Sequence, residues 1–348
     1  MRKHSAKDPV MVLGIDLAKQ SFQLHGVDGG GEVVLRKQLS RSKLAAFMAR
    51  LPACTVGMEA CGGAHHWSRE FKSYGHTVRM MAPQFVKPYV KSNKNDAVDA
   101  EAICEAVQRP SMRFVPMKSI EQQDLQSLHR IRSQLVARRT AQSNQIRGLL
   151  LEYGIAIAQG IRYVRTQVPA LLEAADNGLS DLFRELLHEL YQELVYLDDR
   201  VRSLEERLHR LCEHNEDCQR LRSIHGVGVL SATALVAAIG DIGAFGSGRE
   251  LAAWMGLVPR QHSTGGRPTL MGISKRGDAY LRSLLIHGGR SVVRVAHKYQ
   301  DHHHRWVSAV EHRRGKNIAA VAVANKNARI AWALLSKKTS YRASAVAA

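Results

Sequence analysis

Four acidic residues in the first hundred stand where regular elements end or begin, and the residues around them read as an α/β sheet. Val10-Met11-Val12-Leu13-Gly14-Ile15 is an apolar run of strand length that ends at Asp16. Two further strands, Phe22 to Val27 and Val33 to Leu39, are joined by Asp28-Gly29-Gly30-Gly31, a strong hairpin signal. Ser40 is placed to cap a helix to Leu51, whose Leu44, Phe47, Met48 and Leu51 share one face. A strand over Thr55 to Met58 ends at Glu59, and a helix from Ala64 to Tyr74 is closed by Gly75. His76 to Met81 is a fifth strand, stopped by Pro83. After a basic loop (Lys87, Lys91, Lys94), Asn95 is placed to cap a helix through Ala106. The expected order is β-β-β-α-β-α-β-α.

Asp16 and Glu59 each close an apolar strand, where an open α/β sheet presents its ligand crevice. Asp96 and Asp99 are spaced i,i+3 and leave one face of the same helix. Four carboxylates brought together repel unless divalent cations neutralise them. Oxygen-only ligation suits Mg²⁺ or Mn²⁺, and two such ions can clamp the attacking and leaving oxygens of a phosphodiester. Singly, each acid has an ordinary explanation: Asp96 and Asp99 suit a helix N-terminus, and Asp16 suits a strand-end turn. All four in this order favour a metal site.

Charge narrows the partner. The chain carries fifty Lys+Arg against thirty-one Asp+Glu, a formal +19. From Arg260 onward there are seventeen Lys/Arg and three acids, so the last quarter holds +14 of that excess. A one-sign field so concentrated points to a polyanion, nucleic acid before a membrane surface. The 45% hydrophobic fraction excludes a disordered chain, and no apolar run reaches the length that spans a bilayer. The apolar stretch behind the charged N-terminus stops at Asp16, which argues against a signal peptide. Five cysteines, an odd count with no C-x-x-C pair, suit a reducing cytosol.

Ile15-Asp16-Leu17-Ala18-Lys19, Met58-Glu59-Ala60-Cys61-Gly62 and Lys94-Asn95-Asp96-Ala97-Val98-Asp99-Ala100 resemble the acidic motifs of the DEDD-type insertion-sequence transposases. The resemblance implies a ribonuclease-H-like, Holliday-junction-resolvase-like domain over 8–112, with Asp16, Glu59, Asp96 and Asp99 as catalytic metal ligands.

Residues 117–216 read as a helical spacer. One long helix is expected from Ser119 to Glu152, with Arg130, Arg132, Arg138, Arg139 and Arg147 lining nucleic acid or a solvated face. A broken stretch with Gly154, Gly160 and Pro169 follows, then a second long helix from Ser180 to His214. There Leu190, Leu194, Leu197, Val201, Leu204, Leu208 and Leu211 form a heptad seam, which suits a coiled coil. The seam is open to an antiparallel partner in the same chain or to a second copy. Strand exchange at two DNA sites needs several active centres, which favours a dimer or tetramer.

Residues 219–336 read as a mostly helical C-terminal domain. Leu221 to Val229, with Gly226 and Gly228, leads into an apolar helix from Ser231 to Ile239, a helix-hairpin-helix-like element able to put backbone N–H groups on a phosphate. Trp254 to Pro268 reads as a polar, glycine-rich loop, with Ser263 and Thr264 ahead of Gly265-Gly266 and basic Arg260, Arg267, Lys275, Arg276 and Arg282 nearby. An accessible hydroxyl among positive charges suits phosphoryl transfer, although Ser-Thr-Gly-Gly is also common loop composition. Gly256 to Arg260 through Ile273 to Gly277 resembles the C-terminal domain of the same transposases. In that family a serine ahead of the glycines is the recombination nucleophile. Many members carry two adjacent serines there; this chain has Ser263 then Thr264, so Ser263 is the first assignment, Thr264 the alternative and Ser274 a third. The resemblance also implies a structured non-coding guide RNA, donor and target DNA as partners, no membrane, and a bacterial cytoplasmic, nucleoid-associated setting. Sequence recognition delegated to base pairing fits a chain without a conventional DNA-reading motif.

Asp301-His302-His303-His304 is expected on a helix surface near nucleic acid, with metal binding the lesser reading, and 337–348 as a disordered tail. Two other functions fit the motifs: a metal-only nuclease or junction resolvase with a structural Ser263, and a non-catalytic nucleic-acid-binding regulator.

Overall fold

The computed structural model describes residues 9–90 and 96–341, and the chain divides into two compact units, Met1–Ser119 and Ile120–Ala348. The first unit begins with β1 (Val12–Leu17), β2 (Ser21–Val27), β3 (Val33–Ser40) and α1 (Arg41–Arg50). Then follow β4 (Thr55–Glu59), α2 (Ala64–Ser73), β5 (Thr77–Met81), a short α3 (Pro83–Val86), α4 (Asp96–Ala106) and β6 (Phe114–Val115). The sheet order is β3-β2-β1-β4-β5-β6. β1 to β3 form an antiparallel meander, β4 and β5 run parallel to β1, and β6 closes the edge antiparallel to β5. In the hairpin turn, Asp28 Oδ1 accepts from the backbone N–H of Gly30 and Glu32 at 2.8 and 2.9 Å. β6 is too short to announce itself by periodicity. The expected cap Asn95 and the basic Lys91 and Lys94 lie outside the described residues.

One face of the sheet buries Leu13, Ile15, Phe22, Leu24, Val56 and Met58 against α1 and α2. The alternate residues of β1 and β4 point the other way, towards α4. At Gly14 an added Cβ would lie 2.3 Å from the Ala100 carbonyl oxygen and 2.5 Å from the Cys104 nitrogen. The missing side chain therefore lets α4 lie directly on β1.

The second unit is mostly helical. It opens with α5 (Ile120–Glu152), α6 (Ile161–Glu173), α7 (Asp181–Glu213), α8 (Glu216–Arg222), α9 (Val229–Ile239) and α10 (Gly248–Trp254). The hairpin β7 (Pro259–Thr264) and β8 (Arg267–Ile273) precedes α11 (Ala279–Val295), α12 (His302–Arg314) and α13 (Lys316–Lys337). The apolar α9 is buried on nearly every face, among α5, α7, α8 and α11.

Leu194, Leu197, Val201, Leu204 and Leu208 of the heptad seam are buried, and Leu211 is exposed. The seam packs on α5 of the same chain, which runs antiparallel. Arg132 Nε donates to Glu205 Oε1 at 2.8 Å, Arg139 to Asp198 at 2.6 Å, and Gln142 Nε2 to the Leu190 carbonyl at 3.1 Å. Along this stretch the seam is closed within one chain. Arg132, Arg139 and Arg147 are engaged internally, the last on the Ile157 carbonyl, while Arg130 and Arg138 are exposed. The stretch expected to be broken at Pro169 is helical: α6 runs through it. Proline cannot donate to the carbonyl four residues back. That carbonyl, Arg165, accepts instead from the Tyr191 hydroxyl at 3.2 Å.

The helix-turn-helix forms at α8 and α9, and its turn glycine Gly226 (φ +83°) packs close against α11, where a Cβ on it would stand 2.7 Å from the Gly288 oxygen. The tail is held further than expected. Lys338 Nζ bonds Asp217 at 2.9 Å and the Tyr341 N–H donates to Ser223 Oγ at 3.2 Å, while 342–348 lie outside the described residues. No helix among the described residues is long and apolar enough to cross a membrane.

Candidate active site

The close seat of α4 on β1 brings the acids together. Asp16 lies two residues beyond Gly14 on the same face of β1, and α4 begins with Asp96 and Asp99 in its first turn. Carboxylate oxygens of Asp16, Asp96 and Asp99 all lie within 4.8 Å of one another. No other three His, Cys, Asp or Glu side chains among the described residues converge so closely. Oxygens bound to opposite sides of one Mg²⁺ stand about 4 Å apart, so this all-oxygen set fits a small hard divalent ion. Asp16 and Asp99 are half-buried and Asp96 is exposed, which leaves the site open to a large substrate.

Glu59 stands outside that trio, at the end of β4. The parallel register pairs Gly14 with Gly57 and Ile15 with Met58, which sets Glu59 beside Asp16 on the same sheet face. The field of both reaches Cys61, whose thiol is pushed up by burial first and then by the Glu59 and Asp16 carboxylates. The site is therefore strongly negative before any cation enters.

Ser263 belongs to the second unit, and its surroundings differ from the expected loop. Residues 259–273 form an antiparallel hairpin in which Ser263 pairs with Pro268 and Thr264 with Arg267. Gly265 and Gly266, with φ +56° and +74°, make the two-residue turn whose left-handed backbone matches strand twist. Every residue of β7 is exposed, including Arg260, Ser263 and Thr264. Alternation puts Ser263 and Gln261 on one face, with Gln261 Nε2 donating to Ser263 Oγ at 2.8 Å. His262 and Thr264 take the other face. Gln261 is not singled out by the sequence; its i,i+2 relation to Ser263 becomes visible only once the segment is a strand.

Arg267, Lys275 and Arg276 are also exposed. Lys275 adopts φ +54° at the hairpin base, where its N–H donates to the Gly256 carbonyl at 3.1 Å. Ser274 donates its N–H to the Val258 carbonyl at 2.8 Å in the same base. Arg282 is half-buried and braces this turn, donating to the Met255 carbonyl at 3.2 Å.

Comparison with known proteins gives the arrangement its context. Residues 218–304 match the family model described as Transposase IS116/IS110/IS902 family, and residues 13–155 match a DEDD transposase model of the IS110 type. A probable family 20 transposase of Pseudomonas aeruginosa is 53% identical over 95% of this chain and 98% of its own length. The transposase for insertion sequence element IS1111A of Coxiella burnetii is 48% identical over 99% of this chain and 94% of its own. The transposase for IS1328 of Yersinia enterocolitica is 42% identical over 95% and 98%. The chain belongs to the IS116/IS110/IS902 transposase family: it is an insertion-sequence enzyme that acts on DNA.

Proposed function

We propose that this transposase cuts and rejoins DNA through a serine-phosphodiester intermediate formed by Ser263, with Mg²⁺ held by Asp16, Asp96 and Asp99 and supported by Glu59. The observation that carries the reading is the convergence of the three aspartates within 4.8 Å, a donor set suited to a hard divalent cation. When bound, such an ion neutralises the carboxylates and stabilises charge on a phosphodiester. The chain's own residues supply the rest. Ser263 Oγ gives up its hydroxyl proton as it attacks phosphorus, its P–O bond forms as the bond to the leaving sugar oxygen breaks, and that oxygen takes up a proton, so no proton is gained or lost overall. The reverse attack by a sugar hydroxyl releases the serine and seals the strand without an external energy source. Gln261 orients the Ser263 hydroxyl, and Arg260, Arg267, Lys275 and Arg276 neutralise the substrate phosphates.

A ribonuclease-H-like reading of the first unit is supported by its meander-plus-parallel sheet with acids at the ends of β1 and β4. The excess of +14 from Arg260 onward supports binding of polyanions, a structured guide RNA among them, and recombination at two sites calls for a dimer or tetramer. The decisive experiment is denaturing electrophoresis of labelled DNA after reaction in Mg²⁺. Wild type gives a protein–DNA adduct, Ser263→Ala gives neither adduct nor cleavage, and Thr264→Ala retains both in reduced amount. Loss in Thr264→Ala with retention in Ser263→Ala moves the nucleophile by one residue. The metal-only nuclease reading draws on the fact that the aspartate trio lies in a unit that does not contain Ser263. It predicts metal-dependent nicking by Ser263→Ala and no adduct from either protein. Full recombination after exhaustive ribonuclease treatment removes the guide RNA.

A further inference from the structure

A cluster of imidazoles in the second unit serves neither the carboxylates nor the hairpin. The sequence places His303 and His304 on an exposed helix surface; both are buried, at 6% and 5% exposure. His225, in the turn between α8 and α9, completes a triangle. Ring centres are 5.4 Å apart for His303 and His304, 5.1 Å for His225 and His304, and 5.7 Å for His225 and His303. Three imidazoles ligating one tetrahedral ion at the usual zinc–nitrogen distance have ring centres about 5 Å apart.

The hydrogen bonds around the triangle point the same way. Asp301 Oδ1 accepts from the backbone N–H of His303 and His304, capping α12, while its Oδ2 holds His304 Nδ1 at 2.5 Å. A carboxylate on one imidazole nitrogen fixes the tautomer and turns the other nitrogen into a metal ligand. Both ring nitrogens of His303 are shut off from solvent and have no hydrogen-bond partner, an unfavourable state for buried polar atoms unless something binds them. His225 is exposed and gives an ion its way in. As the rings stand, their nitrogens do not all lie within 4.8 Å of one another; binding would turn the rings about Cβ–Cγ, a motion that breaks no hydrogen bond of the His303 ring. The negative Asp301 also offsets Lys326, whose charge acts on His303.

We propose that His225, His303 and His304 bind one transition-metal ion of the Zn²⁺ or Co²⁺ class, pinning the turn before α9 to the start of α12. An all-imidazole set selects such ions over the hard cation of the carboxylates, so the two sites are chemically separate.

The test is titration of the untagged full-length chain with Co²⁺ alone, read by visible absorption. The expected result is one equivalent bound with the intense bands of a four-coordinate ion, displaced by Zn²⁺. The bands persist in Asp99→Ala, which disables the carboxylate trio. They vanish in His303→Gln and in His225→Ala, the latter an exposed position whose loss leaves the core untouched. Asp301→Asn keeps the helix cap and weakens binding by about 10–100-fold. Absence of the bands, their survival in His225→Ala and His303→Gln, or their loss in Asp99→Ala overturns the site.

Discussion

One methyl group at Gly14 tests how the carboxylates are assembled. The added Cβ would sit 2.3 Å from the Ala100 oxygen and 2.5 Å from the Cys104 nitrogen, whereas ordinary contact begins at 3.4 Å. The shortfall is about 1 Å, and both opposing atoms are backbone, so no rotamer change relieves it. α4 must retreat from β1 by roughly that distance, carrying Asp96 and Asp99 away from Asp16. Overpacking of this kind costs about 1–3 kcal/mol, and a misplacement of ~1 Å at a reacting centre costs roughly 10²-fold in rate. Chemical denaturation of Gly14→Ala should show the stability loss, and metal-dependent DNA cleavage should fall by that factor. Gly62→Ala is the matched control, because its Cβ meets nothing within 4 Å. A Gly14→Ala protein with wild-type stability and rate would refute the idea that close helix–strand contact positions the acids.

Three further outcomes are expected. Asp16→Ala, Asp96→Ala and Asp99→Ala should each abolish recombination with the circular dichroism spectrum unchanged; a wild-type rate in Mg²⁺ from any of them removes that residue from the site. Gly148→Ala, in α5 with open space around it, should raise stability by about 0.5–1 kcal/mol in denaturant titrations, and a loss would mean the position is packed. Acid should destabilise the second unit through two buried imidazoles. Burial, then Arg132, pushes His129 down to about 4; burial, then Lys326, His304 and His225, does the same to His303. Both folded values lie below the ordinary 6.5, so the unfolded chain takes protons first. Their contribution is complete above pH 6.5 and is lost as pH falls through 4, on the order of a few kcal/mol together. A melting temperature that stays flat between pH 7 and 4 contradicts this.

How much of this was legible in the sequence follows from what periodicity reports, which is burial. β1, β4 and α1 lie against a core, so their apolar runs mark them within a residue or two, and Asp16 and Glu59 stand at strand ends as expected. The convergence of Asp16 with Asp96 and Asp99 depends on Gly14, whose role is a missing side chain and leaves no pattern to read. α6 was hidden because Pro169 removes a donor, and the compensating Tyr191 hydroxyl comes from a helix more than twenty residues away. His303 and His304 look like surface residues by type; their burial comes from tertiary packing beside His225. The hairpin at 259–273 escaped for the opposite reason. Both its strands are exposed on both faces, so no alternation of apolar and polar residues arises, and only Gly265-Gly266 marks the turn. A two-stranded ribbon in water gains little stability from its own side chains. Its residues, Arg260, Ser263, Thr264 and Arg267 among them, are therefore free to answer to a ligand rather than to a core. That is why a reading as a polar loop and the observed ribbon agree on the chemistry offered to a phosphate while differing on the backbone that offers it.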